Sequence, residues 1–276
     1  MKIGIATCFN IPEPDIDEAL MLEYFDRRGH EVYLAAWEDS TIDWSDFDAV
    51  IVRSTWNYPL DVNAFADWIR HVDAQTTLLN PASVMLGNLN KRYLIGLAER
   101  GIPTTPTHWI FPSEAASLRE IVMVKSVIKP VIGCGSMDTR VFEANQLNQA
   151  IEWLSRHARD REFMVQPFYN SVNTVGEQSI IVIAGKPTHR IIKHPRFSGQ
   201  EERVDGPFEV DEYNQIVQMI IEPIRNEILY ARVDLMMDDE GLWRLSELEL
   251  VEPSLFFIYC PLALEAMIHR VESSLS

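Results

Sequence analysis

Residues 230–256, YARVDLMMDDEGLWRLSELELVEPSLF, decide how this chain is read. They set three carboxylates on strand-like runs in a way that suits a magnesium–nucleotide site. In RLSELELVEP, Glu247 and Glu249 are two apart in an alternating run, so both side chains leave the same face. Asp234 follows Arg232 in the earlier run ARVDLMM, and the DDEG turn between the runs predicts a hairpin. The three acids are then expected to converge on one spot. Magnesium favours hard oxygen ligands, takes few carboxylates and leaves its other positions to water and phosphates. The plainer alternative is the solvated face of a hairpin in an acidic protein.

The bulk properties narrow the classes. With 276 residues, 47% of them hydrophobic and 24% charged, the chain is long enough for two compact domains, or three small ones, of ordinary globular composition. No apolar run is long enough to span a bilayer, and MKIGIATCF begins with a strand rather than a charged leader, so the expected location is cytoplasmic. Cys8, Cys134 and Cys260 are too few and scattered for a disulfide framework or a zinc site. Cys8 is expected to pack at a strand end, with a nucleophilic role as the alternative. A formal charge of −17 argues against nucleic acid as a partner, because Lys and Arg must neutralise phosphates there. A protein this acidic that binds a polyanion must gather its cations locally.

Working back toward the N-terminus, KIGIATC, the amphipathic IDEALMLEYFDRRG closed by Gly29, HEVYLAAW and FDAVIVRS alternate strand and helix. That alternation predicts a parallel sheet flanked by helices, with functional loops at the carboxyl ends of the strands. Arg53 and Ser54 in VRSTWNYP stand at such an end and are candidate ligand contacts; a surface turn stapled by Trp56 and Tyr58 is the alternative. TTLLNPAS reads as a strand and turn, and NLNKRYLIGLAERGIP as a helix closed by Gly101 and Pro103. A second unit begins near Thr104, with two strands around a glycine loop in residues 121–142, a helix from about Gln146 to His157, and the strand EFMVQPF. In a third unit, GEQSIIVIAGKPTHRIIKHP predicts a hairpin turning at Gly185 and Lys186. PRFSGQEERVDGP is polar, aperiodic and glycine-containing, as a mobile loop between His194 and Phe208 would be. A long helix from Asp211 to Ile228, the carboxylate hairpin and a terminal helix complete the chain.

Lys129 ends an apolar strand and runs directly into PVIGCGSM, whose glycines let backbone amides approach a phosphate. The loop lacks the GK[ST] ending of a P-loop and does not fit GxGxxG, and a tight hairpin is the structural alternative. Lys91 and Lys193 taken singly read as solvated lysines.

Taken in order, Lys91, Lys129 with its glycine loop, VQPF, GEQS, Lys193, Arg232 with Asp234, and Glu247 with Glu249 resemble the ATP-grasp superfamily along essentially the whole chain. The motifs VRSTWNYP, NKRYL, VIKPVIGCGS, VGEQSIIVIAGKPTHRIIKHP and ELELVEP are most similar to its glutathione-synthetase-like branch, which includes the O-ureido-serine cyclo-ligase of cycloserine biosynthesis. The resemblance implies an α/β (α+β) fold: an N-terminal parallel α/β domain over residues 1–90, a small subdomain with the glycine loop over 91–168, and a C-terminal subdomain with metal site and lid over 169–276. It implies that Lys91 and Lys129 hold the ATP phosphates and that the loop carrying Gly133, Gly135 and Ser136 closes over them. Gln166, Pro167 and Phe168 would form the hinge beside adenine, and Glu177 would face nucleotide or substrate. Asp234, Glu247 and Glu249 would carry one or two magnesium ions, or manganese in their place. The superfamily commonly has Asn two residues after the first of these glutamates; this chain has Glu249, which alters the charge of the site. Arg203 and Gly206 would belong to a substrate lid, and Arg232 would lie near the transferred phosphoryl group. Lys193 would lie between phosphate and substrate, and Arg53 and Ser54 would contact a substrate carboxylate.

The implied reaction begins with a substrate carboxylate attacking the γ-phosphate to give an acylphosphate, which an amine or other nucleophile displaces, forming or cyclising a carbon–nitrogen bond with release of ADP and phosphate. Partners are then small, amino-acid-like molecules, with no nucleic acid or membrane, and the protein a monomer or homodimer. The alternatives are a small-molecule kinase and a non-catalytic nucleotide-binding regulator.

Overall fold

Apolar residues on both faces make β1 (Lys2–Thr7) a strand that must be covered on both sides, as parallel sheets are. The computed structural model describes residues 1–121, 124–194 and 203–275. In it β1 lies between β2 (Glu31–Ala36) and β3 (Ala49–Val52), and β4 (Thr77–Leu79) follows β3, giving an all-parallel sheet of order β2-β1-β3-β4. The crossovers carry α1 (Glu18–Arg27) and α2 (Val62–Asp73), whose Phe25 and Phe65 are fully buried. α3 (Ala82–Asn88) forms where the sequence reads as a turn, and α4 (Tyr93–Glu99) is shorter than expected, so that Lys91 sits just before its first turn.

The second sheet is antiparallel, in the order β5-β8-β6-β7, from β5 (His108–Ile110), β6 (Ser126–Pro130), β7 (Arg140–Phe142) and β8 (Phe163–Pro167). Short α5 (Leu118–Ile121) and α6 (Leu147–Ser155) cover it, burying Leu118, Ala150, Leu154 and Phe163. The third sheet runs β11-β10-β9-β12-β13, with β9 (Glu177–Ile183), β10 (Lys186–Lys193), β11 (Val204–Phe208), β12 (Tyr230–Met237) and β13 (Trp243–Glu249). α7 (Asn214–Ile221) and α8 (Pro261–Ser274) complete the chain.

Two expectations need correction here. The long helix from Asp211 to Ile228 is only α7, because Pro223 has no amide hydrogen to continue the ladder and its ring clashes with the preceding turn. Part of the expected loop is strand β11, which pairs antiparallel with β10 at the sheet edge; Pro207 is tolerated there, and Gly-Pro masks the alternation that would reveal a strand. Residues 195–202 of the expected lid lie outside the described residues.

Side chains lock the first and third sheets together. Asn80, just after β4, donates to the carbonyls of Tyr230 and Leu250 (both 2.9 Å) and accepts from the amide of Leu229 at 2.6 Å. Tyr230 donates its hydroxyl toward the carbonyls of Val52 (2.6 Å) and Val251 (2.8 Å). Around these bonds Ile3, Ile5, Phe25, Ile181, Leu229 and Leu264 share one apolar cluster, and burying a ring such as Phe25 contributes roughly 2–3 kcal/mol. The outer edge of β13 is not left to water. Asn88 bonds both Leu248 and Leu250, and Tyr93 accepts from the Leu248 amide. The acidic hairpin is therefore held from three directions.

Candidate active site

The polar face of the third sheet is a row of alternating charge. Register sets Arg232 opposite Glu249 and Asp234 opposite Glu247 across β12 and β13, so all four leave one face. On the other side of β12, Asp234 faces Ser179, whose hydroxyl donates to Oδ1 at 2.6 Å; beyond it Glu177 is opposite Lys193. Lys193 pairs with Glu177 at 2.5 Å and Asp234 at 3.2 Å. Arg232 donates to Asp234 through Nε and Nη2, each at 2.9 Å, and also to Glu249. The opposite face of the hairpin, Val233, Leu235, Leu245 and Leu248, is core, and a one-residue register shift between Asp234 and Leu235 brings Glu247 and Glu249 to the face of Arg232 and Asp234.

The remaining cations come from the facing sheet and from the residues just before α4. Lys129, on β6, reaches Glu247 at 2.6 Å. Lys91 bonds the carbonyl of Gly133 at 2.6 Å and lies 3.7 Å from Glu247, tying the glycine loop to the acidic hairpin. In that loop Gly135 and Ser136 both take the left-handed conformation, with φ 55° and 59°, which glycine adopts freely and serine does not. Between the sheets lies a cleft of about 420 Å³, bordered by Lys91, Lys129, Gly133, Gly135, Ser136, Glu177, Lys193, Arg232, Asp234, Glu247 and Glu249. Its size is that of a small-ligand site.

The charges set each other's ionisation. Burial pushes the Asp234 carboxyl up, but Arg232 and Lys193 outweigh it and hold the group well below the usual range. Burial likewise opposes ionisation of Glu247, and Lys129 and Lys91 bring it down to about 2. Burial raises Glu177 and Glu249 despite their cationic neighbours. The expected convergence of the acids is thus modified: they share a face, but each is drawn to a cation. Among the described residues no three acidic, imidazole or thiol groups are gathered to hold a metal ion as they stand.

Known proteins resemble this chain in sequence and in fold. Residues 3–80 match the family described as D-cycloserine synthetase DcsG, N-terminal domain. The cycloserine biosynthesis protein DcsG of Streptomyces lavendulae is 29% identical over 267 residues, 87% of this chain and 88% of that protein. The crystal structure of D-cycloserine synthetase DcsG superposes with a TM-score of 0.89 at 24% identity, covering 100% of both chains. The ATP-grasp ligase PsnB, solved with a minimal precursor, Mg and ADP, superposes with a TM-score of 0.63 at 18% identity over 98% of each chain. The fold is ATP-grasp.

Not every expected residue reaches the ATP-grasp cleft. Arg53 is 1% exposed, flanked by Asp15 and Asp17 at 3.5 Å each, and donates to the Pro253 carbonyl at 2.7 Å. It braces the chain rather than facing a ligand. Ser54 is also buried and bonds Thr7 at 2.8 Å. Gln166 is turned to Thr107 at 2.9 Å, Pro167 ends β8, and Phe168 lies under the Lys125 ammonium at 4.4 Å; none borders the cleft, whose apolar lining includes Trp56, Val127, Val141, Met236 and Phe256. Arg203 is exposed and pairs with Asp205 at 3.1 Å, away from the cleft lining. Gly206 packs β11 on β10, where a Cβ would come within 2.9 Å of Ile191. Cys8 is buried at a strand end and burial raises its thiol pKa, so it is no ready nucleophile.

Sequence reasoning missed Glu252. This glutamate is 8% exposed, borders the cleft, and is pushed up to about 8 by burial and by Glu249. Its folded pKa exceeds the ordinary 4.5, so the folded state binds the proton more tightly. The resulting stability is full below pH 4.5 and is lost as pH rises to about 8. Glu252→Gln should therefore be more stable than the parent at pH 8 by about 2 kcal/mol or more, with the difference shrinking toward pH 5. Thermal melts of both proteins across this range check it; parallel curves would refute it.

Proposed function

We propose that the protein is an ATP-dependent ligase that joins, or cyclises, a small amino-acid-like carboxylate and a nucleophile through an acylphosphate. The observation that carries this is the convergence of Lys91, Lys129, Lys193 and Arg232 with the acids of β9, β12 and β13 on one cleft of an ATP-grasp fold. Phosphoryl transfer asks a protein mainly for positioning and charge neutralisation, which four cations supply without a nucleophilic side chain. The similarity to the cycloserine biosynthesis protein DcsG favours this over a kinase or a non-catalytic regulator. The unit boundaries 1–90, 91–168 and 169–276 belong to the same proposal and are supported by one sheet falling within each.

Asp234, Glu247 and Glu249 offer hard oxygen donors on one face, which fits a divalent cation such as magnesium. Such an ion, when bound, neutralises phosphate charge. Lys91 and Lys129 would bind the phosphates, Lys193 and Arg232 would face the transferring group, and the loop at Gly133–Ser136 would exclude water. Arg203 and Gly206 are proposed to act only from a rearranged lid.

The test is ADP release by purified protein with amino acids supplied singly and in pairs, with magnesium and with EDTA. Metal-dependent release that requires an amino acid supports a ligase; ATP binding without turnover on any combination counts against it. Lys129→Ala should weaken binding of a non-hydrolysable ATP analogue at least tenfold, about 1.4 kcal/mol, since a chain of net charge −17 attracts a polyanion only through local cations. Titration of the variant measures this, and unchanged affinity together with unchanged turnover would remove Lys129 from the nucleotide site.

A further inference from the structure

Trp56 joins parts of the chain that belong to three different sheets. It follows β3 of the first sheet and borders the cleft. Its indole nitrogen donates to the Glu252 carbonyl at 3.0 Å, in the segment after β13 of the third sheet. Its own carbonyl accepts from the Cys134 thiol at 2.9 Å, in the glycine loop between β6 and β7 of the second. Arg53, three residues earlier, donates to the Pro253 carbonyl at 2.7 Å, so the join to the segment after β13 is doubled. Burial keeps the Cys134 thiol protonated, with the carboxylates of Glu252 and Glu249 adding to the effect, so the hydrogen that the Trp56 carbonyl accepts stays in place.

The glycine loop is anchored along its stem and free only at its tip. Val131 is buried in the cluster that holds Val233 and Leu248, whereas Ile132 and Cys134 pack on the first-sheet cluster that holds Val52 and Tyr58. Lys91 adds two bonds, from its amide to the Val131 carbonyl at 3.0 Å and from its ammonium to that of Gly133 at 2.6 Å. The stem is therefore fixed as far as Cys134. Beyond it Gly135, Ser136 and Asp138 are exposed and take the left-handed backbone conformation. A short tip on a fixed stem inherits its position from the last anchored residue, and a site is only as well placed as the contacts that support it. That last residue is Cys134, and what holds its thiol is Trp56.

We infer that Trp56 and Cys134 are positioning residues that act as one unit: Trp56 ties the glycine loop to the segment after β13 and so sets where the amides of Gly135 and Ser136 meet a phosphate. This rests on the ligase reading above. Neither side chain needs to touch the nucleotide for this. Trp56 acts through the backbone it holds, and Cys134 through the loop it anchors.

The experiment titrates full-length protein with a non-hydrolysable ATP analogue in magnesium, at a temperature where melting curves find every variant folded. Trp56→Phe keeps a ring but loses the N–H, Cys134→Ala loses the thiol donor, and Cys134→Ser keeps a donor. Each of the first two should weaken the analogue about fivefold, the size of one hydrogen bond, and Cys134→Ser should recover most of the loss. The Trp56→Phe, Cys134→Ala double variant should lose less than about tenfold, where independent sites would multiply to about twenty-five-fold. Multiplied losses, parental affinity in both single variants, or no recovery in Cys134→Ser would each overturn the inference and leave the ligase reading standing. Hydrogen exchange with the analogue bound decides the matter even where a Trp56 variant does not fold: Cys134→Ala should speed exchange at residues 135–139 about tenfold, and unchanged exchange there overturns the inference. Failure of the wild-type protein to bind the analogue overturns the ligase reading, and this inference with it.

Discussion

Glu247→Gln is expected to lower magnesium-dependent ATP turnover on the order of a thousandfold, roughly 4 kcal/mol, in a protein that still folds. The amide keeps the shape of the side chain and an acceptor for Lys129, so what is removed is charge. In the folded protein that charge is strongly favoured: Lys129 and Lys91 hold the group at about 2 against the cost of burial. A depressed acid contributes stability above its unfolded pKa, near 4.5, which is lost as pH falls to about 2. The variant should therefore be less stable than the parent at pH 7, by about 2 kcal/mol, and equally stable in strong acid. Steady-state kinetics over a magnesium series, with melting curves alongside, separates the two effects. Turnover equal to wild type at working magnesium would sink the metal assignment of Glu247, whatever the melting curves show.

The hairpin that bears this residue was legible because both of its signals are local. Alternation puts Glu247 and Glu249 on one face and DDEG fixes the turn, but the pairing set by that turn would place Asp234 opposite Ser246; the one-residue register shift that brings Glu247 there carries no mark in the sequence. The glycine loop was legible because its signals, too, are local. Arg53 was not: its place after a buried strand suits a ligand contact equally well, and what settles its role is Asp15 and Asp17, which arrive from a loop the sequence does not position. Glu252 was hidden because Val251 breaks the alternation of ELEL, and Pro253 reads as the end of a strand rather than the start of a braced segment. Strand β11 was hidden because an edge strand needs only one partner, and its partner β10 supplies the pairing that its own Gly206 and Pro207 obscure. Long-range charge pairing and edge pairing are properties of the assembled fold, and a single sequence carries no local mark of either.

Arg232 carries the last expectation. Its guanidinium bridges Asp234 and Glu249 and also donates to the Ser254 carbonyl, so it joins the acids proposed for the metal to the segment that follows β13. A buried fork of this kind suits a transferring phosphoryl group better than a lysine, because two parallel donors meet two oxygens. If its interaction forms mainly in the transition state, its loss lowers rate far more than affinity. Arg232→Ala should therefore lose a hundredfold or more in turnover, about 3 kcal/mol, while binding a non-hydrolysable ATP analogue almost normally. A structural role predicts something else. Removing one partner of a buried pair destabilises by roughly 3–5 kcal/mol, and an effect through unfolding would lower rate and analogue binding together. Arg232→Lys discriminates further: it restores the charge without the fork, so it should recover stability and leave most of the rate loss. Kinetics and analogue titration at a temperature where every variant is folded measure both quantities. Analogue affinity that falls in proportion to rate would move Arg232 from the reacting centre to the nucleotide site.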